Sequence, residues 1–152
     1  MRKRLEKPGT FVRVPLEDGT FGYGRILKPP HSAFYHYRTP SPDSDLDRIA
    51  SNPVLFRVAV RYLPRSGWEF IGWRELESHL TQPVVQFTQD LGDFKKCKIF
   101  DDAGNARPAT PEECVGLEKA AVWDPHHVEG RLLDFFMGRP NVNVEFSKVR
   151  LR

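Results

Sequence analysis

Thr10-Phe11-Val12-Arg13-Val14-Pro15-Leu16 runs through Glu17-Asp18-Gly19 into Thr20-Phe21-Gly22-Tyr23-Gly24-Arg25-Ile26-Leu27. Two stretches rich in β-branched and aromatic residues flank an Asp-Gly pair, which is the pattern of a β-hairpin. The turn needs residues that tolerate positive φ, and Asp-Gly supplies them. Pro15 has no amide hydrogen, so it belongs at an edge or near the strand end. Gly22 and Gly24 fall on one face of the second strand. Their missing side chains leave room for close approach of another backbone or a large aromatic ring.

The pattern continues outward from this hairpin. Lys28 to Pro53 reads as a long irregular segment with five prolines. Within it, Phe34 to Arg38 fits a short strand, and Asp43 to Ala50 fits one or two helical turns capped by Asp43 or Ser44. Loops of this length in a compact domain often carry function. Val54 to Leu63 alternates strongly and predicts the best strand of the chain. Pro64 to Gly67 then reads as a turn, and Trp68 to Trp73 as its returning partner in a second hairpin. Arg74 to Leu80 predicts a short helix. Val84 to Phe87 and Lys95 to Phe100 are further strands, with a turn over 101–105. Thr110-Pro111-Glu112-Glu113 is a capping box at the start of a short helix. Leu117 to Trp123 fits helix and strand equally. Asp124-Pro125 opens the clearest helix, with Val128, Leu132 and Phe135 as its apolar stripe and Gly138 and Pro140 as its stop. Val142 to Leu151 alternates and predicts a last strand. The expected architecture is α+β and mostly β: an antiparallel curved sheet or partly closed barrel, with one C-terminal helix packed on it. Residues 1–152 are expected to form a single domain, with 1–8 as a basic tail.

Composition narrows the function classes. The chain has 152 residues, a charged fraction of 28% and a net charge of +3. That is mildly basic, without the dense Lys/Arg clustering of most nucleic-acid surfaces. Two cysteines are too few for a secreted disulfide framework. No apolar run approaches the roughly 20 residues that span a bilayer. A cytoplasmic protein without membrane contact is expected, as a monomer or at most a weak dimer.

The residue types that carry chemistry fit structural roles better. The five histidines, His31, His36, His79, His126 and His127, include no His-x-x-x-His pair, and neither cysteine sits in a Cys-x-x-Cys pair. His126 and His127 are adjacent, so on a helix they point about 100° apart. No metal site is expected. Cys97 and Cys114 read as small buried hydrophobes rather than nucleophiles. Gly22-Tyr23-Gly24 lacks the third glycine and following helix of a phosphate cradle. Among the carboxylates, Glu118 stands out because apolar residues surround it. A structural ion pair with a core-lining arginine such as Arg25 is favoured over a general base. No catalytic residue and no cofactor are expected. Arg13, Arg25, Arg57 and Arg61 on strands leave a small β-rich nucleic-acid-binding domain as the alternative function, though the common aromatic sheet signatures of RNA modules are missing.

The order of these motifs resembles the immunity protein 26 family of bacterial polymorphic-toxin systems. The resemblance rests on Gly9 to Leu16, Asp18-Gly19 and Phe21-Gly22-Tyr23-Gly24-Arg25-Ile26-Leu27. It continues through the central strand Val54 to Val60, Trp68 to Gly72, Phe87 to Asp90, and Glu113 to Trp123 with Val128-Glu129 after it. Gly22, Tyr23, Gly24, Arg25, Glu118 and Trp123 are structural parts of that pattern. The resemblance implies a mostly β protein that binds and neutralises a cognate toxin domain by protein–protein interaction. Such toxins are often nucleases, and immunity proteins against nucleases are often acidic; a mildly basic chain departs from that habit unless its acidic residues cluster on one face. Aromatics and charged residues anchor such interfaces. The candidate toxin-binding residues are therefore Phe34, Tyr35 and Tyr37, with Asp43, Asp45 and Asp47 beside them. The competing reading makes the rings a cover for the sheet.

Overall fold

A computed structural model describes residues 7–62 and 66–152. Arg2, Lys3 and Arg4 of the expected basic tail lie outside these residues, as do Leu63, Pro64 and Arg65 around the expected turn. The hairpin forms as its sequence requires. Strand β1 (Thr10–Pro15) pairs antiparallel with β2 (Phe21–Ile26), with Pro15 at the strand end. β3 (His31–Thr39) follows on β2, then helix α1 (Leu46–Ala50) and β4 (Val54–Val60). The segment expected to be irregular around a short strand at Phe34 to Arg38 thus holds a longer, nine-residue strand as well as the expected helical turn. Its prolines punctuate rather than disrupt: Pro29 and Pro30 precede β3, and Pro40 and Pro42 follow it. Asp45, not Asp43 or Ser44, caps α1, its carboxylate accepting the amide of Arg48.

The expected second hairpin is not formed. β5 (Glu69–Trp73) pairs with β1 at one end of the sheet. The edge of β4 that a hairpin partner would use is held by β10 (Val122–Trp123), which runs parallel to it. The sheet order is β10-β4-β3-β2-β1-β5. Between β4 and β5 the Trp68 ring is buried, with Tyr62 at 5.6 Å and Phe34 at 5.8 Å.

A second sheet is built from β6 (Val85–Gln89), β7 (Cys97–Asp101), β8 (Ala106–Ala109) and β9 (Glu118–Lys119), in the order β8-β7-β6-β9. Arg74 to Leu80, expected as a helix, narrows to a 3-10 turn at Ser78–Leu80. The capping box forms reciprocally: Glu113 accepts the Thr110 amide at 2.8 Å, and the Glu113 amide donates to Thr110 Oγ1 at 3.3 Å. The ambiguous Leu117 to Trp123 stretch holds two strands of two residues each. β9 joins the second sheet and β10 the first, so six residues clasp the sheets together. Neither sheet closes into a barrel, and both contain a parallel pairing.

Helix α2 (Pro125–Met137) starts at Asp124-Pro125 and ends at Gly138, whose φ of 71° closes the C-terminus in the left-handed conformation. It lays Val128, Leu132 and Leu133 on one face of the first sheet, against Val12, Val14, Phe34, Phe56, Val58 and Trp123. Phe135, expected in the buried stripe, faces outward, and Leu133 takes its place. The opposite face holds a second cluster of Phe11, Tyr23, Tyr35 and Ile49. The first sheet is therefore buried on both sides. Gly24 permits this at close quarters: a Cβ there would stand 2.8 Å from the Phe34 ring.

The predicted last strand is a helix. α3 (Val142–Ser147) begins where Asn141 Oδ1 accepts the Val144 amide at 3.0 Å. The alternation of Val142, Val144 and Phe146 suited a strand. The cap, together with Ser147 Oγ donating to the Asn143 carbonyl at 2.7 Å, favours the helix locally. Among the described residues no helix is long and apolar enough to cross a membrane.

Candidate functional site

The residues expected to touch a partner divide by depth. Phe34 and Tyr35 are wholly buried. Phe34 packs 5.4 Å from Phe56, and Tyr35 stacks 6.5 Å from Phe11. Neither ring reaches a surface, so both are corrected from binding anchors to core residues. The reason is that the first sheet is covered on both faces, which puts each of these neighbours on β3 under a layer. Tyr37 is half-buried and donates to Asp43 Oδ2 at 2.5 Å. Burial, with the Asp43 carboxylate beside it, raises the Tyr37 pKa. That same hydrogen bond, with the Asp45 amide, lowers the Asp43 pKa. Asp45 is the α1 cap, and Asp47 is exposed in an ion pair with Arg74 at 2.5 Å. The three carboxylates are thus committed to holding α1 and its approach loop.

Arg25 organises the other side of the hairpin. Its guanidinium is fully enclosed and all five of its N–H groups are used. Nε donates to the Gly9 carbonyl at 2.8 Å. One terminal nitrogen donates to Glu77 Oε1 at 2.9 Å and the Tyr35 hydroxyl at 3.2 Å. The other donates to the carbonyls of Arg74 and Glu75 at 2.9 and 3.1 Å. Its carbon centre lies 4.0 Å over the Phe11 ring. Gly22, Tyr23 and Gly24 complete the strand: the Tyr23 hydroxyl sits 2.6 Å from Thr39 Oγ1 and accepts the Asp43 amide at 2.9 Å. These residues are scaffold.

Burial opposes the charge on Glu77, but a hydrogen bond from its own amide and the guanidiniums of Arg25 and Arg74 outweigh it, so its pKa is lowered. A carboxylate with a depressed folded pKa stabilises above its unfolded value, here 4.5, and loses that contribution as pH falls through the folded value. The stability gap between the wild-type chain and Glu77→Gln is therefore expected to be largest at neutral pH and to shrink below about pH 4.5. Urea unfolding at stepped pH measures it; a gap that stays constant down to pH 3 counts against the ion pair.

Glu118 makes the kind of bond its apolar neighbours suggested, but with a different arginine. Arg131 on α2 donates to both of its oxygens, at 3.2 and 2.7 Å, while Arg25 is occupied by Glu77. The Arg131 guanidinium lies 3.7 Å over the Phe56 ring and 5.0 Å from Trp123. Trp123 itself is buried in the main core. The clasp between the sheets is thus bolted to α2. Of the arginines that suggested nucleic acid, Arg25 is sealed in, Arg13 is tied to Glu69 at 2.8 Å and Arg57 to the Gln82 carbonyl at 3.2 Å. Arg61 is exposed, with Asp124 at 4.0 Å, so the four do not line up as one free cationic strip.

The clasp carries a surface that the strand reading of 142–151 concealed. Three depressions meet around Lys119, Phe146 and Lys148, with volumes of about 220, 50 and 450 Å³. Exposed apolar side chains border them: Leu91, Val115, Val122, Phe146 and Leu151. The signal available in the sequence was Val142 and Phe146 four residues apart after the Pro140-Asn141 start.

The thiols and histidines differ in kind. Cys97 and Cys114 are buried in one cluster with Phe87. Burial and the neighbouring Cys97 thiol push the Cys114 pKa up to about 11, which keeps it a protonated thiol at neutral pH. His126 and His127, expected to point apart, together with Asp124 bring one ligand-capable atom each within 4.8 Å of one another. Both imidazoles are exposed on the first turn of α2, their rings 4.2 Å apart.

A family model described as Immunity protein 26 matches residues 7–98. This range covers β1 to β6 and the start of β7, including Arg25 and the segment it binds. The Glu113 to Glu129 motifs lie beyond it. No curated protein and no solved structure matches the chain.

Proposed function

The chain belongs to the immunity protein 26 family, and from that premise we propose that it neutralises a cognate bacterial toxin domain by binding it. The family match over residues 7–98 is the observation that carries this reading. On this reading the chain works in the cytoplasm of the producing cell, and its effect comes from occupancy rather than turnover. A standard interface buries about 800 Å² on each partner, which a face of this size of protein can offer. The buried polar networks around Arg25 and Glu118 support the reading by giving such a face a rigid base, and rigidity limits the entropy lost on docking.

Growth rescue tests it. The toxic C-terminal domain encoded beside this gene is induced in a test bacterium, with and without this chain. Rescue against that toxin and not against an unrelated one, with co-purification of the pair, is expected. Folded proteins that neither rescue nor associate would reject the reading.

A further inference from the structure

We propose that the face formed by α3, the β9–β10 clasp and residues 148–151 docks an acidic, apolar-centred surface of the toxin domain. This rests on the immunity reading above. It names the binding face and the chemistry of what binds there.

A six-residue helix is too short to be stable on its own account and normally depends on burying an apolar face. α3 buries no residue fully. Val142 and Phe146, one turn apart on the same face, are 63% and 77% exposed. An apolar i, i+4 pair turned to water is the anchor pattern of a helix that packs on a partner.

The exposed apolar residues are continuous. Phe146 is shared by two of the three depressions, Lys148 by two, and Lys119 by all three. Leu91, 92% exposed, and Val122, 56% exposed, flank Phe146 on either side. Scattered single apolar residues on a surface need no explanation, but a contiguous group with clefts between its members marks an interaction site.

Lys119, Lys148 and Arg150 ring the centre. Of the acids within the same depressions, Glu118 is neutralised by Arg131 at 2.7 Å, and Asp90 is turned back onto the amides of Gly92 and Asp93. Lys148 is paired with Glu145 in an exposed i, i+3 bridge, which solvent screening makes weak. Lys119 has no ion pair among the described residues. An apolar centre with a cationic rim complements an apolar anchor ringed by carboxylates, and like-signed surfaces are rejected.

The experiment uses the full chain and the purified toxin domain encoded beside its gene, with binding measured by surface plasmon resonance. Phe146→Asp and Lys119→Glu are each expected to weaken binding at least tenfold, while Met137→Asp, on the exposed end of α2, stays within twofold. Because Phe146 and Lys119 are exposed, thermal unfolding of each variant should match wild type, which separates lost binding from lost folding. Raising salt from 50 to 500 mM is expected to weaken wild-type binding about tenfold, as screening removes the complementary charge. Wild-type binding that both variants retain would overturn the face and leave the immunity reading standing. Wild-type binding insensitive to salt would overturn the acidic partner. A doubled mass for the chain alone in light scattering, abolished by Phe146→Asp, would assign the face to a second copy instead. No binding by wild type would remove both readings together.

Discussion

Replacing Arg25 by methionine lowers the unfolding free energy by about 3–5 kcal/mol, the range expected when one member of a buried, hydrogen-bonded charge pair is removed. A buried pair replaced on both sides by apolar groups is often harmless, so the size of this effect needs a specific reason. Here the reason is the acceptor set. Three of the five acceptors are backbone carbonyls, of Gly9, Arg74 and Glu75, and no substitution removes them. Each carbonyl left without its donor costs about 1–3 kcal/mol where water cannot reach it. Arg25→Lys tests this reasoning against simple charge loss. Lysine keeps the charge but has three donors on one nitrogen and cannot reach acceptors spread across Gly9, Glu77 and residues 74–75. It is expected to lose nearly as much stability as methionine. The double variant Arg25→Met with Glu77→Gln is expected to recover only part of the loss, because the carbonyls remain orphaned. Urea midpoints at neutral pH measure all three; an Arg25→Lys chain that unfolds at the wild-type midpoint would refute the five-donor argument.

That hub shows where a linear reading stops. The strand carrying Arg25 was legible because Asp18-Gly19 and the flanking alternation are local signals, and α2 was legible because Asp124-Pro125 and Gly138 mark its ends. The partner of Arg25 was not, since Glu77 lies 52 positions away and no local pattern links the two. Glu118 illustrates the same limit from the other end: its need for an arginine was readable from its apolar neighbours, and the identity of that arginine was not. β9 and β10 are two residues long, too short for any periodicity, yet β10 takes the edge that sent β5 to the far side of the sheet. Phe34 and Tyr35 were misplaced because an aromatic run between prolines resembles an exposed recognition loop. In a sheet covered on both faces, successive residues are all buried and the alternation that marks a half-exposed strand disappears. The candidate binding face was hidden for a related reason. Val142, Val144 and Phe146 fit a period of two, and the bonds that favour a helix with Val142 and Phe146 facing out, from the Val144 amide to Asn141 Oδ1 and from Ser147 Oγ to the Asn143 carbonyl, leave no periodic trace.

The contact between α2 and the hairpin gives the second large effect, and its sign can be reversed by design. Leu132 is fully buried, and its Cδ1 would stand 3.1 Å from a Cβ built on Gly22. Leu132→Ala is expected to cost about 3–5 kcal/mol, in the upper part of the range for buried leucine, because the cost grows with the cavity that remains. The opposite wall is a glycine, which has no side chain to relax into the space. Gly22→Ala alone is expected to cost about 1 kcal/mol or less: the contact is tight, but it is to the end of a flexible leucine rather than to backbone. Gly22 has no positive φ, so alanine adopts its conformation without strain. In the double variant the new methyl enters space that Leu132 has vacated. The pair is therefore expected to be more stable than Leu132→Ala alone, with a coupling of about 1 kcal/mol in the favourable direction. Gly24→Ala is the control, since its Cβ would meet the Phe34 ring at 2.8 Å and the Ala33 carbonyl at 2.9 Å, neither of which is relieved by shortening Leu132. Added to Leu132→Ala, it should worsen stability by about as much as it does in the wild-type chain. Thermal unfolding of the five variants decides the matter. Additive losses for Gly22→Ala and Leu132→Ala would mean that α2 does not rest on Gly22. A favourable coupling would establish that Gly22 serves as the seat of the helix, and that the base beneath the clasp is set by the same hairpin that holds Arg25.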